Sequence, residues 1–196
     1  MKNKLKYFVF FCLITLFSCK KKELNQTDYL QYIEDNNNGL NIYKTMGDVR
    51  YTLQYKPLEY IIIKENAVDI KKRTTELEGM QYYTLSYSLE NSKEDILQHG
   101  LNDKTEYYER VNYLSFGLQN DIYLENGNDK LQCILFNYVR SYGLTAIADF
   151  VLAFEKNKST ISERTLVIED KVFGGGIIKL KIEKNDIENI PLLIAD

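Results

Sequence analysis

The chain has 196 residues, 44% hydrophobic and 27% charged, with a formal charge of −3, one histidine, two prolines and no tryptophan. That composition describes one globular domain, or at most two; it excludes a disordered tail and a fibrous repeat, and its mild acidity argues against a nucleic-acid binder. Three cysteines leave little room for a disulfide framework.

The amino terminus carries Lys2, Lys4 and Lys6, then an apolar run from Tyr7 to Phe17, then Ser18 and Cys19. This is the layout of a secretory signal. A helix over those 11 residues would be about 16 Å long against roughly 30 Å of bilayer hydrocarbon, too short for a spanning anchor, so cleavage is expected. Leu16-Phe17-Ser18-Cys19 resembles a bacterial lipobox. The resemblance covers the first nineteen residues and implies cleavage between Ser18 and Cys19, with acyl chains such as palmitate added at Cys19. More than one acyl chain makes attachment stable. The residue after Cys19 is Lys20 and not the aspartate of inner-membrane retention, so the resemblance implies the outer membrane and leaves the periplasmic or surface face open. In its Lys-, Asn-, Ile- and Tyr-rich style the chain is similar to Bacteroidota lipoproteins.

Residues 1–18 thus read as signal peptide, 19–26 as a lipidated tether and 27–196 as a single domain. Loss of the signal removes three lysines and no acid, which takes the charge to −6. Lys20, Lys21 and Lys22 either lie along lipid headgroups or form a solvated linker.

Along the domain, Thr27 to Ile33 suits a short helix, broken by Asn36-Asn37-Asn38-Gly39. Leu40 to Met46, a Gly47-Asp48 turn and the alternating Val49, Tyr51, Leu53 and Tyr55 predict a hairpin. Pro57 can open a helix through Leu58, Ile61 and Ile62, although three isoleucines also suit a strand. Lys71-Lys72-Arg73 reads as a solvated loop. Tyr83, Leu85, Tyr87 and Leu89 alternate with Thr84, Ser86 and Ser88, which gives a strand with one wet face. Ser92 and Asp95 predict a short capped helix ending near Gly100.

A stronger helix is expected from Lys104 to Phe116, with Tyr107, Tyr108, Val111 and Leu114 at helical spacing and Gly117 as its stop. Asn126-Gly127 predicts a type I′ hairpin joining Asp121–Glu125 to a strand from Lys130 to Arg140. Three more strands follow at Ile147–Phe154, Thr165–Glu169 and Ile177–Ile182. A terminal turn should dock through Ile187, Ile190 and Leu192. The sum is an α+β fold: a mainly antiparallel sheet of about eight strands with a few short helices. A strand ending in Gln54-Tyr55-Lys56-Pro57, then strands, a helix and hairpins, is an order similar to that of small α/β/α sandwich lipoproteins. This resemblance brings no catalytic residues with it.

Few residues point to chemistry. Cys133, the cysteine left unmodified after processing, sits among apolar neighbours and reads as a buried strand residue. His99 belongs at a helix end, with nothing in the spacing to pair it with Cys133, and one histidine does not make a zinc site. No serine lies in a nucleophile-elbow pattern. Gly174-Gly175-Gly176 lacks the lysine of a phosphate loop and reads as a turn or bulge. Asp48, Glu59, Glu125, Asp129, Glu169 and Asp170 offer no spacing that selects an acid–base pair.

The compositional excess is tyrosine, 16 in the chain, a residue suited to cores and to wet binding faces alike. Tyr82, off its strand's apolar face, is the expected exposed contact. No catalytic residue, metal or cofactor is expected. The expected role is a membrane-anchored, non-catalytic envelope lipoprotein that binds another envelope protein or serves as an accessory subunit. A small-ligand or glycan binder using tyrosines is the alternative, with a carboxylate-based hydrolase behind it.

Overall fold

The computed structural model describes residues 21–156 and 163–194; the signal region, Ser18 and Cys19 lie outside them. Mixed helices and antiparallel sheets are present, as the composition and patterning require. The described residues form eleven strands, more than the expected eight, and two of these are only two residues long. The nine longer strands divide between two sheets.

Alternation of apolar and polar side chains builds the larger sheet. β2 (Asn41–Met46) and β3 (Val49–Lys56) form the expected hairpin about Gly47, whose φ of 59° suits a residue without a Cβ. β3 pairs with β4 (Met80–Leu89), β4 with β8 (Ala148–Glu155), and β8 with β7 (Leu135–Val139), all antiparallel. One face of this sheet buries Tyr51, Leu53, Tyr83, Leu85, Tyr87 and Phe150. The other carries Thr52, Thr84, Ser86 and Asp149, half-buried.

The second sheet runs β10-β9-β5-β6, from β5 (Ile122–Asn126), β6 (Asp129–Gln132), β9 (Arg164–Asp170) and β10 (Gly176–Ile182). Its buried Leu124, Leu166, Ile168, Ile178 and Leu180 share one core with the apolar face of the first sheet. The molecule therefore packs sheet on sheet, and an α/β/α sandwich is not formed. The chain crosses from one sheet to the other at Cys133. The strand expected from Lys130 to Arg140 breaks there: β6 stays with β5, while Ile134 N–H donates to Ala153 O at 2.9 Å and passes the chain to the first sheet.

Asn126 pairs with Asp129, so Gly127 and Asn128 are the central turn residues. Of these only Gly127 has positive φ, 63°, and the turn has glycine first where an Asn-Gly type I′ turn was expected.

Helices gather at the ends of the sheets. α1 (Gln26–Glu34) is capped by Asn25 and buries Tyr29 and Ile33, four apart on one face. α2 (Leu58–Lys64) follows Pro57, which settles the isoleucine run as helix. Lys71-Lys72-Arg73 is not a loop but part of α3 (Ile70–Leu77). The Asp69 carboxylate accepts from Lys72 N–H at 2.9 Å to start that helix, and Arg73 bridges Glu65 and Glu76. The capped helix expected after Ser92 is a single 3-10 turn at Ile96–Gln98, and its cap is Asp95.

α4 (Lys104–Asn112) runs on through a π turn at Tyr113–Gly117 and a 3-10 turn at Leu118–Asp121. Gly117 does not stop it. A Cβ there would sit 2.6 Å from the Tyr113 ring, so the glycine makes room for packing. α5 (Lys184–Glu188) precedes β11 (Leu192–Leu193), which pairs in parallel with β1 (Glu23–Leu24). Glu23 and Leu24, within the span expected as tether, thus belong to a strand pair. At the carboxy terminus Ile187 and Ile190 dock as expected, but Leu193 packs inward where Leu192 was expected.

Candidate binding surface

α4 has no fully buried residue. Its apolar stripe is only half covered, and the uncovered part opens a cleft toward the end of β7. Tyr107, Tyr108, Val111, Tyr138, Arg140 and Tyr142 line this cleft, with a volume of about 260 Å³. Tyr107 and Tyr108 stand edge to face with centroids 5.7 Å apart. On their far side a shallower hollow of about 490 Å³ is edged by Gln98, Asn102, Asp103 and Lys104.

Local chemistry fixes each wall. Asp103 accepts from Thr105 N–H at 2.7 Å and Glu106 N–H at 3.0 Å, and Glu106 accepts from Asn102 N–H at 2.8 Å, which together set the start of α4. Arg110 ties α4 to the 3-10 turn by donating to Leu97 O at 3.0 Å and His99 O at 2.7 Å, while its guanidinium lies 4.8 Å over the Phe173 ring. Tyr138 stacks on Phe150 at 5.0 Å, and burial, followed by nearby Asp95, pushes its phenol up to about 12. Arg140 donates to Ser115 Oγ at 2.9 Å.

Tyr142 is the most constrained member. It has φ 50°, beside Gly143 at 80°, and Leu144 N–H closes the turn on Ser141 O at 3.0 Å. A bulky side chain in the left-handed region costs about 1–2 kcal/mol. The turn nonetheless presents this ring to solvent, 85% exposed, near Tyr108 at 68% and with Phe116 next to the tethered Ser115.

The expected contact, Tyr82, lies elsewhere. It faces outward on β4 between Lys56 and Ala153, half-buried, with its hydroxyl donating to Leu77 O at 3.3 Å. Tyr107 and Tyr108 carried a signal of their own in the sequence: adjacent helical residues point about 100° apart, so both cannot enter one core. Tyr142-Gly143 was marked only by an aromatic beside a turn glycine.

The chemically reactive types are engaged elsewhere. Cys133 is buried, its thiol donates to Leu135 O at 3.0 Å, and burial pushes it up to about 11. His99 ends the 3-10 turn and lends its carbonyl to Arg110. Asp170 is buried and accepts from Tyr51 Oη at 2.9 Å and from the amides of Val172 at 3.1 Å and Gly175 at 2.7 Å. The loop therefore wraps the amides of Val172, Phe173 and Gly175 round the protein's own carboxylate. The other acids are dispersed over the β2–β3 turn, α2, β5, β6 and β9, with Glu125 paired to Lys179. Among the described residues no group of three His, Cys, Asp or Glu side chains could hold a metal ion, and no helix is long and apolar enough to cross a membrane.

Compared with protein-family models, curated proteins and solved structures, the chain matches none.

Proposed function

We propose that the chain is a lipid-anchored lipoprotein of the outer membrane whose domain, without catalysis, binds another envelope protein through the tyrosine-edged cleft. The observation that supports this reading is the grouping of exposed Tyr108 and Tyr142 with Arg140 round one hollow. Tyrosine and arginine dominate binding hot spots, because each offers a broad rigid surface and a polar end. At about 260 Å³ the cleft is smaller than the roughly 300–1,000 Å³ usual for an enclosed small-molecule site, and suits one or two side chains of a partner.

The hollow beside it favours a second reading, a glycan binder. There the Tyr107–Tyr108 pair meets Gln98, Asn102 and Lys104, an aromatic surface fringed by hydrogen-bonding groups. A photoreactive phenylalanine analogue at Tyr108 or Tyr142 separates the two. Protein binding gives the same discrete crosslinked protein from both positions, lost in the Arg140→Ala variant and absent with the probe at Ile177 on β10. No adduct at either position, together with protection of both by envelope oligosaccharides, replaces the first reading with the second.

A further inference from the structure

We propose that the end of the domain built from α2, α3 and β11 lies on the membrane surface, with its aliphatic side chains at the boundary between headgroups and acyl chains. This rests on the anchoring at Cys19 proposed above and adds the orientation of the whole domain.

The end is apolar where solvent should favour polar groups. Leu58, Ile62, Ile63, Ile70, Leu193 and Ile194 line an open groove of about 470 Å³. At its edges Val68 is wholly exposed, Ile70 is 61% exposed and Ile194 47%. Val68 sits at the tip of the α2–α3 loop, where Asn66 adopts a positive φ of 49° to turn the chain. The lining of this groove includes no aromatic side chain, and the neighbouring Arg73 is engaged by Glu65 and Glu76, so the surface is aliphatic in a way that suits lipid.

Charge points the same way. Lys21 and Lys22 precede β1, and Lys71 and Lys72 follow Ile70, all exposed. The carboxylates here are partly neutralised: Glu65 and Glu76 are held by Arg73, Lys72 lies 3.9 Å from Glu76, and Asp69 caps α3, while Glu23, Glu59 and Glu78 remain exposed. Lysines flanking an aliphatic surface match anionic headgroups above acyl chains.

The tether decides between lipid and other occupants. β1 is fixed to this end, since Leu192 N–H donates to Lys22 O at 2.8 Å and Ile194 N–H to Leu24 O at 2.9 Å. Cys19 is four residues before Glu23, at most about 14 Å away. β4, ten residues long, extends about 33 Å from the α3 end to the 3-10 turn of the tyrosine cleft. An acylated Cys19 therefore holds the groove close to the bilayer and lets the cleft project away from it.

The test uses the acylated full-length protein in phosphatidylethanolamine–phosphatidylglycerol vesicles containing nitroxide-labelled lipid. Buried Cys133 leaves single introduced cysteines open to specific labelling with an environment-sensitive fluorophore. The fluorophore at Val68→Cys is expected to shift to the blue and to be quenched several-fold more strongly than at Leu144→Cys, another highly exposed site at the opposite end. Ile70→Asp with Ile194→Asp should abolish that difference while the protein stays on the vesicles. Equal, weak quenching at both sites in protein whose mass shows the acyl chains overturns the docking face and leaves the anchor standing. A blue shift without lipid quenching also overturns it, because a second copy or another protein then covers the groove. If Cys19 carries no acyl mass, or Cys19→Ser stays membrane-bound, the anchoring itself fails and the orientation falls with it.

Discussion

Burial changes what single residues can do. The Cys133 thiol is raised to about 11 by burial, so it contributes stability below its unfolded value near 8.5, and that contribution disappears as the pH climbs toward 11. A thiol reagent should leave the native protein untouched at pH 8 and react fully once denaturant is added. Glu90 shows the opposite shift. Its bonds to Arg50, then to Thr45, hold its carboxyl down at about 2, so the pair stabilises above pH 4 and is lost as the pH falls through 2. Carboxyl NMR titration should find Glu90 near 2 in the native protein and back in the ordinary range in Arg50→Met. Tyr142 carries backbone strain for the sake of an exposed ring. Tyr142→Asn, better suited to the left-handed region, should raise stability by up to about 1 kcal/mol in urea melts while removing the crosslink.

At the scale of elements, two glycines act through space rather than through flexibility. A methyl at Gly117 would meet the Tyr113 ring at 2.6 Å, and that ring is held by the Tyr113 hydroxyl donating to Asp121 at 2.7 Å. A methyl at Gly175 would meet Ile178 and the Tyr51 hydroxyl at 2.8 Å and Asp170 at 3.0 Å. Each glycine-to-alanine change should cost about 1–3 kcal/mol by denaturant unfolding. Asp170→Ala should cost about 3 kcal/mol or more, because it strips partners from the loop amides and from a buried tyrosine at once. The sequence made β2, β3, β4, β8, β9 and β10 legible, since alternation is a local property of a strand half in a core. It hid the π continuation of α4 and the break at Cys133, which depend on what Tyr113 and Ile134 meet across the fold.

For the whole molecule, the parallel pairing of β1 with β11 joins the two ends of the described chain beside the groove. Deleting residues 21–24 should expose the Leu192 and Ile194 amides to rapid hydrogen exchange, without changing exchange in β3 or β4, because these bonds lie outside the shared core. The candidate site obeys the same division. A tyrosine excess was plain in the composition, yet Tyr82 was the residue that period-two alternation could point to, whereas the cleft forms from tyrosines on α4, β7 and the following loop. The sequence by itself determined most of the longer strands and the apolar faces they bury, because each depends on neighbours a few residues apart. Only the tertiary structure decided that the strands divide into two packed sheets, that Asp170 occupies the glycine loop, and that the tyrosine cleft and the aliphatic groove stand at opposite ends. Those outcomes depend on contacts between distant segments, whose geometry no local pattern encodes.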